Sequence, residues 1–208
     1  MTASRTTQTL LVGVLIALLA AIAVVLLGGG SGSPAAPAAT SSSGFDGPTM
    51  PPGLRAADFS LTDQNGRSVT LSRYHGKVVV LTFIHSLCRD ACPLMVEQIK
   101  GALNLLPGDG RDVPAIGVSV APREDTSANR RRFLAKHELR RRMSFLNGPL
   151  PALERVWHAY ATQPVTPRVD HSTYVFLIDK RGYERVGFPA DQLTPEGLAH
   201  DIRALERG

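Results

Sequence analysis

Hydrophobic and polar positions divide the chain into three regimes. Leu10 to Leu27 is an unbroken run of 18 uncharged residues, with no alternation and no polar face. That length is enough to cross a bilayer as a helix. Gly28 to Gly44 is rich in Gly, Ser, Pro and Ala and shows no periodicity. Such a stretch cannot bury a core and predicts a flexible tether. Regular patterning starts after residue 50.

Phe59-Ser60-Leu61-Thr62 alternates, and the alternation resumes at Val69-Thr70-Leu71 beyond the turn residues Asp63-Gln64-Asn65-Gly66. This pattern predicts a β-hairpin. Lys77 to Ile84 is a continuous β-branched run, suited to a strand buried on both faces. Helical spacing follows from Leu94 through Ile99, Leu103 and Leu106 and stops at Pro107-Gly108. Val113–Val120 reads as a strand, 125–137 as a helix with an acidic start, and 144–146 as a short strand. Leu150–Tyr160 reads as a helix with Val156 and Trp157 facing inward. Thr173–Ile178 and Glu184–Phe188 are strands joined by a turn at Asp179-Lys180-Arg181-Gly182. Thr194-Pro195-Glu196 caps a last helix over Leu198–Leu205. The order is a hairpin, then β-α-β-α-β-α-β-β-α. It predicts an α/β fold with a largely parallel central sheet, helices on both faces and an antiparallel closing pair.

Charge sharpens the division into domains. The chain of 208 residues carries a formal net charge of +5. Residues 1–46 hold one basic residue, Arg5, and one acidic residue, Asp46, so the excess belongs to residues 47–208. Arg5 before the apolar run places the short segment 1–9 in the cytosol and the remainder outside. The expected organisation is a transmembrane anchor at 10–27, a flexible linker at 28–50 and a folded domain at 51–208. A cleaved signal peptide is the alternative reading of the apolar run, and Ala35, Ala36, Ala38 and Ala39 could supply its cleavage positions. Both readings export the domain into an oxidising compartment. A single-pass protein of a bacterial inner membrane, with its domain in the periplasm, fits this pattern, and export leaves no role for nucleic acid.

The two cysteines, Cys88 and Cys92, fall where the first long strand ends and helical spacing begins, with Pro93 directly after them. Residues four apart on a helix share a face, and a helix N-terminus favours thiolate. Such a pair can close into a reversible disulfide or hold a thiophilic metal. A strand-to-helix cysteine pair in this element order points to a thioredoxin-like fold. Two thiolates hold copper(I) or zinc poorly by themselves; copper(I) accepts two sulfurs and an imidazole nitrogen, whereas structural zinc prefers four protein ligands. Of six histidines, His137, His158 and His200 lie within helix patterns, and His75 sits in a turn. His85 ends a strand three residues before Cys88. His171, in Asp170-His171-Ser172, opens a strand and is better placed, with Asp170 or Ser172 as a hydrogen-bonding neighbour. Met95 could offer a soft thioether, though core packing is its ordinary use.

The sequence resembles the Sco/SenC family over most of residues 54–207. Leu61-Thr62-Asp63-Gln64-Asn65-Gly66 looks like that family's opening hairpin, and 75–83 like its first core strand. Cys88-Arg89-Asp90-Ala91-Cys92-Pro93 resembles its Cys-Pro-Asp-Val-Cys-Pro motif. Ser119-Val120 with Asp125-Thr126, Phe145-Leu146-Asn147-Gly148, and Val169-Asp170-His171-Ser172 match further blocks in order. The resemblance implies a membrane-tethered copper-binding protein that helps assemble the binuclear copper centre of cytochrome c oxidase. Its partners would be the apo-oxidase copper-site subunit and, through the N-terminal helix, the lipid bilayer. Carried over, the copper ligands are Cys88, Cys92 and His171, with Asp170 and Asp90 in supporting positions. Arg89 and Ala121 depart from the family pattern, replacing a proline and an acidic residue. Arg89 adds positive charge beside the sulfurs.

Thiol-disulfide exchange is the competing activity, with Cys88 as attacking thiol and Cys92 as its resolving partner. A purely structural disulfide closing so short a loop would stabilise little. Arg130-Arg131-Arg132 and Arg140-Arg141-Arg142 read as solvated helix faces, or as attraction to an acidic partner or anionic lipid.

Overall fold

The computed structural model describes residues 44–164 and 174–208. The expected anchor, Asp170 and His171 lie outside the described residues. All described residues belong to one unit, residues 41–208. Among them no helix is long and apolar enough to cross a membrane.

The hairpin forms as its alternation predicts. β1 (Ser60–Thr62) and β2 (Ser68–Thr70) are antiparallel, with Leu61 opposite Val69. Gly66 takes a positive φ of 83° in the turn, a conformation glycine adopts without strain. The Asp63 carboxylate accepts from the Asn65 and Arg67 amides, which fixes the loop.

The central sheet has five strands: β3 (Val79–Ile84), β4 (Ala115–Ser119), β5 (Met143–Leu146), β6 (Tyr174–Ile178) and β7 (Glu184–Pro189), in the order β5-β4-β3-β6-β7. The element order is the expected one, but the sheet is mixed rather than largely parallel. β3, β4 and β5 run parallel, whereas β6 lies antiparallel to both β3 and β7. Among the described residues α3 (Leu150–Ala159) lies between β5 and β6, and β6 enters the sheet in the opposite sense to β3.

Side-chain alternation along β3 builds two cores. Val80 and Ile84 face the one covered by α1 (Ala91–Asn104), α2 (Ser127–Lys136) and α4 (Pro195–Arg207). Val79, Leu81 and Phe83 face the other, covered by the hairpin and α3 with Val156 and Trp157 turned inward as expected. Phe83, Tyr160 and Phe176 cluster there with ring centroids 5.6–6.3 Å apart. Burying such rings contributes about 2–3 kcal/mol each. Thr194 caps α4, its hydroxyl accepting from the Gly197 amide.

Packing begins earlier than composition indicates. Residues 44–50, read from composition as linker, are fastened to β7 and α4. The Asp201 carboxylate accepts from the Asp46 and Gly47 amides at 2.7 and 2.9 Å. Thr49 bridges to Val186, and the Met50 amide donates to the Arg185 carbonyl. A Cβ at Gly47 would stand 2.5 Å from Val186 and Phe188, so only glycine allows this approach.

Candidate metal and thiol centre

β3 delivers the chain to this centre at Ile84. The backbone then leaves the sheet through His85–Asp90 and enters α1 at Ala91. Cys88 therefore precedes the helix, and only Cys92 stands in its first turn. The two cysteines do not share a helix face as residues i and i+4. A turn closed by the Cys88 amide on the His85 carbonyl brings them together instead. Asp90 is the N-cap residue, but its exposed side chain makes no capping hydrogen bond.

Burial makes the pair unequal. Cys92 is fully buried under the α1 core, and Cys88 is half-buried against the same core. Both cysteines are reduced thiols, and the Cys92 thiol hydrogen-bonds to the Cys88 sulfur. That bond, then burial, push Cys92 well above the ordinary thiol range. The His85 amide, 3.5 Å from Cys92 Sγ, pulls weakly the other way. The helix N-terminus was expected to favour thiolate. At Cys92 it is outweighed, because a charged sulfur there would be desolvated beside a second sulfur. Burial beside a second sulfur thus disfavours the charged form of Cys92, and Cys88 is the more exposed of the two sulfurs.

A web of polar side chains holds the turn. Asp125 has no solvent exposure. Its carboxylate accepts from the Ser86 amide at 2.7 Å and from the Ser119 hydroxyl at the end of β4. His85 reaches Cys92 through its backbone, while its ring pairs with Glu124 at 2.8 Å. His85 thus links the thiol turn to Glu124 through its ring and to Cys92 through its amide. Met95 is buried, and Thr82 donates to its sulfur at 3.3 Å, so it packs α1 on the sheet. Asp125 lies in the block Ser119-Val120 with Asp125-Thr126, and nothing in that block by itself assigns it this role. Its signal was an acidic residue just before the Thr126 cap, which accepts from the Asn129 amide.

The basic triplet 130–132 is not a uniform solvated face. Arg130 is buried and donates to the carbonyls of Thr62, Asp125 and Phe145, tying the hairpin to β5. Arg131 and Arg132 are exposed. Among the described residues the one three-donor metal-like grouping is Asp46, His200 and Asp201. Asp201 there is already engaged by two backbone amides and His200. An oxygen-rich fastening of that kind does not suit a soft cation.

A thioredoxin-like sheet with a dithiol at the turn from its central strand into the next helix defines the class of this protein. The chain belongs to the SCO1/SenC family, whose model matches residues 49–207. Protein SenC of Rhodobacter capsulatus is 29% identical over 152 residues, covering 69% of this chain and 67% of that protein. The mitochondrial protein SCO2 of Saccharomyces cerevisiae is 29% identical over 136 residues, covering 60% of this chain. The chain spans only 44% of that yeast relative. Among solved structures, ScoI of Bradyrhizobium japonicum with copper bound is 28% identical with a TM-score of 0.64, covering 73% of this chain and 99% of that one. Apo Sco1 of Thermus thermophilus gives 26% and 0.65, covering 77% and 96%.

Proposed function

We propose that this chain is a membrane-tethered copper-binding protein that serves assembly of the binuclear copper site of cytochrome c oxidase. Cys88, Cys92 and His171 are its copper ligands in this reading, with Asp170 and Asp90 beside them. The observation that carries it is the pair of sulfurs held in contact at the mouth of α1, in a family with a relative solved with copper bound. Adjacent sulfurs fit a soft monovalent cation better than a hard one. Copper there would be cargo, passed on by ligand exchange.

Chain reach supports the third ligand. Tyr174 starts β6 at the edge of the sheet where β3 ends, with its carbonyl accepting from Thr82. His171 lies three residues upstream, and three extended residues span about 10 Å. Capture of a cation by the pair releases the Cys92 proton, so affinity falls as pH falls. Leu87 and Leu94, which flank the cysteines in sequence, are exposed and offer apolar contact to an acceptor, here the apo-oxidase copper-site subunit. The run 10–27 anchors the domain to a bacterial inner membrane, facing the periplasm, through a linker at 28–43.

Anaerobic copper(I) titration tests the reading. One equivalent is expected for the chain, with affinity reduced at least about tenfold in Cys88→Ser, Cys92→Ser and His171→Ala. Unchanged binding in all three variants overturns it.

Thiol-disulfide exchange is the second reading, favoured by the unequal burial of Cys88 and Cys92. Turnover of a disulfide substrate that survives His171→Ala and is lost in Cys88→Ser selects it over copper delivery.

A further inference from the structure

At the opposite end of the sheet from the cysteines lies a hollow of about 450 Å³. Lys77, just before β3, and Ala115 and Met143, the first residues of β4 and β5, contribute to its wall. Cys88 follows the other end of β3. Six residues of strand put roughly 20 Å between the two places. Six cations line the hollow: Arg67, Lys77, Arg111, Arg140, Arg141 and Arg142. Its single acidic wall residue is Asp63, buried and already holding two amides of its own turn. A second hollow shares Arg140 and adds Arg131 and Arg132. Eight of the chain's 23 Lys and Arg thus line the two hollows against one acidic lining residue, with Asp112 beside Lys77 at the rim, which leaves this end of the domain net positive.

The cations are mostly uncompensated. Arg142 is committed to Asn104 and the Asp109 carbonyl. Lys77 reaches the exposed Asp112 only at 3.9 Å. Among the described residues no carboxylate lies within ion-pair distance of Arg67, Arg111, Arg140 or Arg141. Like charges so close repel and cost folding stability unless an anion answers them. Guanidinium groups around a concavity match phosphate oxygens in paired hydrogen bonds.

We propose that this basic end docks on the anionic phospholipid surface of the membrane that holds the chain, taking a headgroup phosphate into the hollow. The membrane is favoured over an acidic protein by proximity, and for that alone the inference rests on the anchor proposed above. In that reading a tether of the length 28–43 has a root-mean-square span of about 20 Å, which keeps the bilayer at a high local concentration around the domain. Such a linker does not choose which face meets the lipid, whereas a patch of this charge does, because each cation near an anionic surface is attracted to it. Docked this way, the domain turns Cys88 away from the bilayer, toward the extramembrane part of an acceptor.

The test uses the whole chain in lipid nanodiscs of phosphatidylcholine alone or mixed with phosphatidylglycerol. Retention in both disc types reports the anchor. Amide hydrogen exchange around Arg111 and Arg140–Arg142 reports the docked face. Exchange there is expected to slow about tenfold in the anionic discs, and to recover at about 0.5 M salt, where screening acts over a few ångströms. The variant Arg111→Glu/Arg140→Glu/Arg141→Glu is expected to lose this protection, and Arg140→Lys/Arg141→Lys to keep most of it. Unfolding midpoints in detergent check that each variant folds. Equal exchange in both disc types overturns the proposal. So does protection in phosphatidylcholine discs by inorganic phosphate or polyglutamate that matches the effect of phosphatidylglycerol, which would assign the site to a small anion or an acidic polypeptide.

Discussion

Single residues decide how the thiol turn is held, and the decisive ones are not the cysteines alone. Asp125 grips the Ser86 amide and the Ser119 hydroxyl from a position without solvent. Asp125→Ala leaves the buried Ser119 hydroxyl and the half-buried Ser86 amide without this acceptor, at about 1–3 kcal/mol. Denaturant unfolding is expected to show that loss, and a thiol reagent should label Cys92 faster than in the parent chain. Unchanged labelling would mean the turn is held by packing alone. Arg130 shows how much of this was legible. With Phe133 and Leu134 it forms a buried set at i, i+3 and i+4, the spacing of an inward helix stripe. Its charge pointed outward and its spacing inward. The spacing prevailed because three carbonyls wait for the guanidinium inside.

At the scale of elements, β7 carries an irregularity that turns a carboxyl inward. Its register against β6 shifts between Leu177 and Ile178, so Glu184 pairs with Ile178 and Val186 with Leu177. Glu184 is buried, and burial raises its carboxyl from an ordinary 4.5 to about 7. A carboxyl raised in the folded state stabilises fully below its unfolded value. That contribution is lost as pH climbs through the folded one. The chain should therefore weaken by about 1–3 kcal/mol as pH rises from about 4.5 to above about 7. Glu184→Gln, which has no charge to bury, should flatten the profile, and thermal midpoints across that window check it. The strand was readable in Glu184–Phe188, but a one-residue shift leaves no trace in alternation this short.

For the molecule as a whole, the segment 44–50 fastens the start of the domain to its last helix. The clasp is Asp201, which meets the Asp46 and Gly47 amides and the His200 ring. Asp201→Ala is expected to release that segment, speeding its amide exchange and proteolysis and lowering stability by about 2 kcal/mol. Protection that persists would show the clasp is dispensable. Composition could not reveal it, because a Gly-, Ser- and Pro-rich stretch reads the same whether tethered or docked. The sequence alone determined the order of strands and helices, the hairpin turn and the place of the cysteines at the end of β3. Those follow from periodicity and turn chemistry, which act within a few residues. Only the tertiary structure decided that β6 runs against β3, which sulfur is buried, that Arg130, Asp125 and Glu184 face inward, and that scattered arginines share one hollow. Each of these depends on what packs across from a residue, and the packing partner comes from a distant part of the chain.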